Sequence, residues 1–513
     1  MELAMQKSKR LITNTLINMI QNPLDMLVQV FLTPFIVNTL GKSSFGIWTL
    51  TGSTLAYIGE LRAGLNSAVS YHVPRLHQRQ DVAGINRIVS TVSAFYALIA
   101  MIGAVFILVL AWRFPYWFNV PDPLRTTCRG VTVIVGMGVE VTVLSSACSG
   151  VLAGLQRYDV MVGAQVTFVI ARAVGVVLVL SLGLGLIGLA GVSVTVETSL
   201  AVLIVYTAYQ LLPGLRVDRH LIDLKVLPGL MAYSTSSMMF GSGQLIMSQA
   251  SKTLVGLLYG PSAVTDFSIP FVLLTMVGGF VLAMTRAVKP MTTLLDAMDE
   301  SEKVQRLYLL STKYSMMIAI PGAMVFMLFG DALLRTWMGR DYGGPGGTLL
   351  AVMAIPQMLR VSQLAGYYVV TGLGKHRVFG FSILIQAISG VGLAFVFAHV
   401  LGLGLLGVAI GVSIPEVIGC GFFIPRYCCK TLGLRVRDQL RRSAVPALLA
   451  NLPLIACFVI AHQTVAVNSR AMFFSLFSVA AVIWAGSMWF LGLSRDEKST
   501  FLALLRRPQG SRG

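Results

Sequence analysis

Asn18, Asn22, Asp25, Gln29 and Thr33 recur at steps of four, three, four and four residues inside a long apolar stretch near the beginning of the chain. On a helix those steps keep all five side chains on one face. An ionisable group costs on the order of 3 kcal/mol at a bilayer centre, so a face carrying Asp25 is expected to border water or a polar partner. A shift of 219 residues lands on Ser237, Gly241, Gln244, Ser248 and Lys252, again polar or small at every position. Another such face runs through Ser53, Tyr57, Glu60, Gly64 and Ser67. Arg62, two residues from Glu60, projects from a different side of that helix. The chemistry on offer is the binding and passage of a polar solute along a cavity lined by Asn18, Asn22, Asp25, Gln29, Tyr57, Glu60, Gln244 and Ser248. The competing reading is that small and polar side chains hold helices together, a common device in membranes.

Arg62, Arg172, Lys252 and Arg360 stand inside apolar stretches, as do Glu140, Glu197, Asp266 and Glu416. If the four cations face inward they form a cationic cavity suited to an anionic head group, because guanidinium forks match phosphate oxygens. Pairing of each with a nearby carboxylate, or snorkelling to the interface, is the alternative. Glu197 and Glu416 are 219 residues apart. They fit structural pairing between helices and a role in transport equally well. With Asp25 and Glu60 they are the candidate coupling carboxylates for a proton or a sodium ion. The six histidines are scattered, and Cys128, Cys148, Cys420, Cys428, Cys429 and Cys457 show no metal spacing. No catalytic constellation, metal site or cofactor motif is expected, and the cysteines are expected in helix packing.

The elements that must position these residues follow from composition. Of 513 residues, 56% are hydrophobic and 12% charged, with a mean hydropathy of +0.78. That describes an all-α polytopic membrane protein. Apolar runs predict spans at 14–39, 45–70, 88–112, 130–154, 160–181 and 187–210, then at 231–258, 263–288, 306–330, 347–373, 376–400 and 404–427. Two unrepeated spans, 444–463 and 471–493, bring the total to about fourteen.

The two sets of six repeat one another. Leu40-Gly41-Lys42-Ser43 closes one span and opens the next, as Tyr259-Gly260-Pro261-Ser262 does 219 residues later. The stretch from Leu182 to Val194 returns at Leu401 to Ile414 with the same offset and one inserted residue. An even number of spans per repeat makes the repeat parallel, with its pseudo-axis along the membrane normal. The expected organisation is an N-lobe over 1–212, a cytoplasmic linker over 213–230, a C-lobe over 231–430, and two extra spans with a tail over 431–513.

The formal charge of +18 would suit a nucleic-acid partner in a soluble protein. Here it follows membrane sidedness instead: with both termini in the cytoplasm, about 28 of the 39 Lys and Arg fall on that side. The apolar segment after Lys7, Lys9 and Arg10 is too long and too polar for a cleaved signal peptide and is expected to be the first span. The linker and the last twenty residues are expected to lie along the inner membrane face.

These residues resemble a known family. Leu40-Gly41, Phe45-Gly46-Ile47-Trp48, and Tyr57, Glu60-Leu61 and Gly64-Leu65 are similar to the opening of the Wzx-type polysaccharide flippases of the multidrug/oligosaccharidyl-lipid/polysaccharide exporter superfamily. Lys289-Pro290, the acidic loop 296–302, Ile320-Pro321, Phe329-Gly330-Asp331, Trp337-Met338-Gly339 and Thr371-Gly372-Leu373-Gly374-Lys375 are similar to that family's eighth to eleventh spans. The resemblance implies a V-shaped twelve-span core of two lobes plus two extra helices in the bacterial inner membrane. It also implies translocation of an undecaprenyl-diphosphate-linked oligosaccharide for O-antigen, capsule or exopolysaccharide export, with membrane lipids and a polymerase as candidate partners. Members often carry an acidic residue near the position of Lys252, so no ion site is carried over there.

The alternatives are a cation-coupled multidrug antiporter of the same superfamily and a membrane polysaccharide polymerase or ligase. A drug exporter favours a more aromatic and acidic cavity, and a polymerase needs a sizeable external loop. The two longest external loops here, 113–129 and 331–347, are short.

Overall fold

A computed structural model describes residues 24–339, 342–375, 377–464 and 470–499, without the side chains of residues 63, 158, 231–238 and 470. Asn18, Asn22 and the side chain of Ser237 lie outside the described residues, as do the ends of the chain beyond them.

Apolar runs of two dozen or more residues, broken by Gly, Asn and Asp, fold as long helices because a helix satisfies its own backbone in lipid. The helices are α1 (Leu24–Leu40), α2 (Lys42–Gln78), α3 (Val82–Trp117), α4 (Arg125–Gly154), α5 (Tyr158–Ser181) and α6 (Gly185–Leu211). After the linker come α7 (227–259) and α8 (261–297), which run together through a non-helical Gly260. Then follow α9 (Ser301–Met338), α10 (Pro345–Gly372), α11 (Arg377–Val400), α12 (Gly404–Thr431), α13 (Val436–Thr464) and α14 (Ala471–Gly492). Among the described residues eleven stretches are long and apolar enough to cross a membrane, one of them the double length 239–297. The many Ser, Thr and Gly of α2, with its few charges, make it too polar for that set, and α1 is an apolar helix of shorter described length. Counting those two, and α7 and α8 separately, gives the fourteen helices expected. The protein is an all-α polytopic membrane protein.

The turns carry the repeat more clearly than the helices do. Gly41 (φ 79°, ψ 164°) and Gly260 (φ 80°, ψ 179°) share one left-handed, extended conformation that glycine adopts without strain. Gln80 and Asp299, Gly183 and Gly402, Gly185 and Gly404, and Gly214 and Gly433 are likewise pairs of positive φ at the same 219-residue spacing. Asn119 with Gly339 and Gln156 with Gly374 match within one residue. Near-identical backbone turns at corresponding points are what a duplicated chain produces.

Packing gathers the chain into two compact units whose boundaries differ from those of the repeat. The first comprises residues to Ile269 together with Arg377–Pro415. In it α4 packs on α2, α3 and α6, while α7 packs on α2 and α11. At one end of this unit the repeat meets itself: the hydroxyls of Ser43 and Ser262, 219 residues apart, hydrogen-bond at 2.8 Å. Lys42 Nζ pairs with Asp266 Oδ1 at 2.8 Å beside them, and Gly46 leaves no room for a Cβ against the Pro261 carbonyl.

The second unit comprises Pro270–His376 and the chain from Glu416 onward. Here α9 packs on α10 and on α13, the first of the two unrepeated helices. Phe329 meets Phe458 and Phe477 edge to face, and those two pack tilted on each other, between α9, α13 and α14. Buried polar groups fix the register. Ser443 Oγ donates to the Leu309 carbonyl at 2.7 Å, and Trp484 Nε1 donates to the Met317 carbonyl at 3.3 Å. Lys313 Nζ reaches Glu497 Oε2 at 2.8 Å with both side chains nearly inaccessible. Since lipid is as apolar as leucine, such bonds and close packing hold these helices, not the hydrophobic effect.

Candidate functional site

In the first unit, the polar faces of α2 and α7 meet at two levels. Ser53 Oγ donates to Gln249 Oε1 at 2.9 Å, and Lys252 Nζ approaches the same oxygen at 3.4 Å. Two turns along α2, the Glu60 carboxylate lies where a Cβ on Gly241 would stand. The small residue in the α7 face is therefore the seat of a carboxylate from α2. A π-helical turn at Ile246–Ala250 widens α7 at this point and carries Ser248 and Gln249. Gln244 and Ser248 are half-buried, and the Ser248 hydroxyl donates to the Leu245 carbonyl at 3.1 Å.

The charges of this unit form one electrostatic group. The Arg62 guanidinium attracts Glu197 and Glu60 and donates to the Thr142 carbonyl at 3.3 Å. Its own carbonyl accepts from the Tyr96 hydroxyl at 2.7 Å, which ties α2 to the fully buried Tyr96 of α3. Arg172, exposed on α5, attracts both Glu197 and Asp25. Glu197 is thus shared by two guanidinium groups, and its carboxylate rests on Gly138 of α4, where a Cβ would come within 2.7 Å. Asp25, Glu60, Arg62, Arg172 and Glu197 belong together; Gln29 is exposed on α1 and Thr33 buried there. Tyr57 lines an apolar groove of about 380 Å³ between α2 and α3, with Ile58, Leu61, Ile99, Ile102, Gly103 and Phe106.

The second unit holds Arg360 and Glu416. Arg360 Nε lies 2.8 Å from Glu416 Oε1 and 3.1 Å from Gln357 Oε1. Its N–H aims at the amide, so the carboxylate contact is an ion pair and not a hydrogen bond, and Glu416 Oε1 has no hydrogen-bond partner among the described residues. Gln357 Nε2 in turn donates to the Leu274 carbonyl at 2.8 Å. Gln357 corresponds to Gly138 under the 219-residue shift, so Glu416 and Glu197 each face the equivalent helix, α10 or α4. The cation beside each comes from a different place: α10 itself in one case, α2 and α5 in the other.

Glu140 on α4 was absent from the expected cavity set. Both of its carboxylate oxygens are buried without a hydrogen-bond partner among the described residues, and one lies against Gly103 of α3. Its intramembrane position was the only signal in the sequence. All six cysteines are free thiols, five buried and Cys457 half-buried.

A Shigella flexneri protein provisionally named an O-antigen transporter is 21% identical over 423 residues, covering 80% of this chain and 95% of the relative. The uncharacterised membrane protein EpsK of Bacillus subtilis is 21% identical over 500 residues, 95% and 96% of the two chains. Among solved structures, the lipid II flippase MurJ in an inward closed conformation has a TM-score of 0.68 at 12% identity, covering 97% of this chain and 99% of MurJ. An inward-facing multidrug transporter of the MATE family and MOP superfamily has a TM-score of 0.67 at 18% identity, over 81% and 95%. These structures share the fold. The family described as polysaccharide biosynthesis protein matches residues 40–344, more than half of the chain, and this protein belongs to it.

Proposed function

We propose that this protein is a flippase carrying an undecaprenyl-diphosphate-linked oligosaccharide from the inner to the outer leaflet of the bacterial inner membrane, by alternating access and without covalent chemistry. The observation that carries the reading is the group of Asp25, Glu60, Arg62, Arg172 and Glu197 on helices of apolar span, in a member of a polysaccharide biosynthesis family. A guanidinium in a low-dielectric site attracts phosphate more strongly than it would in water. Arg62 and Arg172 are the proposed diphosphate ligands, in a cavity completed by Asn18, Asn22, Gln29, Tyr57, Gln244, Ser248 and Lys252; Arg360 of the second unit is proposed by itself as a phosphate ligand.

The carboxylates act as counter-charges that release the guanidinium groups when phosphate arrives. Asp25, Glu60, Glu197 and Glu416 are the proposed sites for a coupling proton or sodium ion. Two parallel six-helix lobes, cytoplasmic termini and a polymerase partner belong to the same proposal. The fold is shared with a drug exporter and does not separate the readings, but membership of a polysaccharide biosynthesis family favours the lipid-linked sugar.

In cells lacking the native gene, Arg62→Gln and Arg172→Gln should accumulate lipid-linked repeat units on the cytoplasmic leaflet at normal protein abundance. The corresponding Lys variants should do so less, because the charge survives without the fork. Wild-type export by all three Arg→Gln variants, Arg360→Gln included, at normal abundance rejects this mechanism.

A further inference from the structure

A cavity of about 480 Å³ opens in the second unit beside the first turns of α9, lined by Glu302, Gln305, Arg306, Leu309, Leu310 and Arg442. Its walls are fixed. The Ser443 hydroxyl, next to Arg442, is bonded to the Leu309 carbonyl, and Gln305 Nε2 donates to the Leu432 carbonyl at 2.8 Å. Its charges are not used by the fold: the exposed side chains of Glu302, Arg306 and Arg442 form no hydrogen bond or ion pair with any described residue. Glu302 and Arg306 stand four apart on one helix, a spacing at which such pairs ordinarily form, and still do not close on each other. The rim is charged, while Leu309 and Leu310 lie one helical turn deeper.

A polar rim over an apolar floor, at the end of a membrane span, matches the boundary between lipid head group and acyl chain. Basic pockets between spanning helices on the cytoplasmic side are suited to phosphate head groups. Two guanidinium groups satisfy a phosphate, but a carboxylate beside them would repel a purely anionic lipid and attract one carrying a donor cation. We propose that this cavity binds the phosphoethanolamine head group of a membrane lipid, Arg306 and Arg442 holding the phosphate and Glu302 the ammonium. The site lies at the end of α9 that the proposed orientation assigns to the cytoplasm, where the unrepeated α13 begins against the core.

The test counts lipids bound to the purified full-length protein by native mass spectrometry, after incubation with phosphatidylethanolamine, phosphatidylcholine or phosphatidylglycerol, with or without inorganic phosphate. Phosphatidylethanolamine should be retained in preference to the other two. Arg306→Ala with Arg442→Ala should lower its occupancy about tenfold, the size expected for losing charge-assisted bonds. Glu302→Gln should abolish its advantage over phosphatidylglycerol, while Arg441→Ala on the neighbouring surface should leave occupancy unchanged. Because the count is taken per folded monomer, a loss of stability does not imitate the result. Equal retention of all three lipids, undiminished binding by the double variant, or displacement by inorganic phosphate alone would each overturn the assignment.

Discussion

Arg360 and Glu416 form a largely enclosed ion pair in the apolar interior of the second unit, with side chains 26% and 13% exposed. Removing one partner of a buried pair leaves an uncompensated charge at a cost of about 3–5 kcal/mol, whereas replacing both by apolar groups is often nearly neutral. Arg360→Met should therefore lower the melting temperature of the purified protein markedly, and Arg360→Met with Glu416→Leu should recover most of the loss. A double variant as unstable as the single one would show that the pair is not a structural unit. The sequence disclosed Glu197 and Glu416 as equivalents because they share one offset. It could not disclose their cations, since the same offset carries Arg62 to Val281, a fully buried core residue. Nor could it place Glu60 against Gly241, because contact across two helices leaves no trace in periodicity. The π-helical turn that sets the register of Gln249 and Lys252 was equally invisible, as nothing in that run marks a sixth residue in the turn.

Among the elements, the turns are where sequence and structure agree most closely. Glycine at 41, 260, 183 and 402 is the residue a left-handed backbone demands, so the repeated glycines were readable as repeated turns. Gln80 and Asp299 also take a positive φ, without glycine, and were not. A Cβ on Gly41 would meet no atom within 4 Å, so Gly41→Ala measures backbone strain alone. It should cost about 1–3 kcal/mol, visible as a lower melting temperature; an unchanged value would show that α1 and α2 join differently.

The junction of Glu497 with α9 is sensitive to pH. Burial pushes its carboxyl up, but hydrogen bonds from Lys313 and from the Ser494 backbone outweigh that and hold it below the usual carboxylate range. A depressed folded pKa contributes stability that is present above the unfolded value, about 4.3, and is lost as pH falls through the folded one. The difference in melting temperature between wild type and Glu497→Gln should thus be full at neutral pH and shrink below about pH 4. A difference independent of pH would remove the ion pair as its cause.

At the scale of the whole molecule, fourteen helices and an internal duplication were legible from hydropathy and two glycine motifs, because lipid imposes both helix length and backbone closure. The grouping of α7 and α11 with α2 was not legible, since packing partners in a membrane are chosen by small residues and a few polar contacts. In a variant lacking the native cysteines, cysteines placed at Asp25, Gln29, Gln244 and Ser248 should react with a membrane-impermeant thiol reagent from one side. If they stay protected in every state, the polar faces only pack.

The central claim is transport, and reconstitution tests it most directly. Purified protein in vesicles containing a fluorescent undecaprenyl-diphosphate-linked oligosaccharide should speed the appearance of the sugar on the opposite leaflet, read by an impermeant glycosidase. Arg62→Gln with Arg172→Gln should reduce that rate toward that of protein-free vesicles. No acceleration by correctly folded wild-type protein, imposed proton and sodium gradients included, would contradict the account.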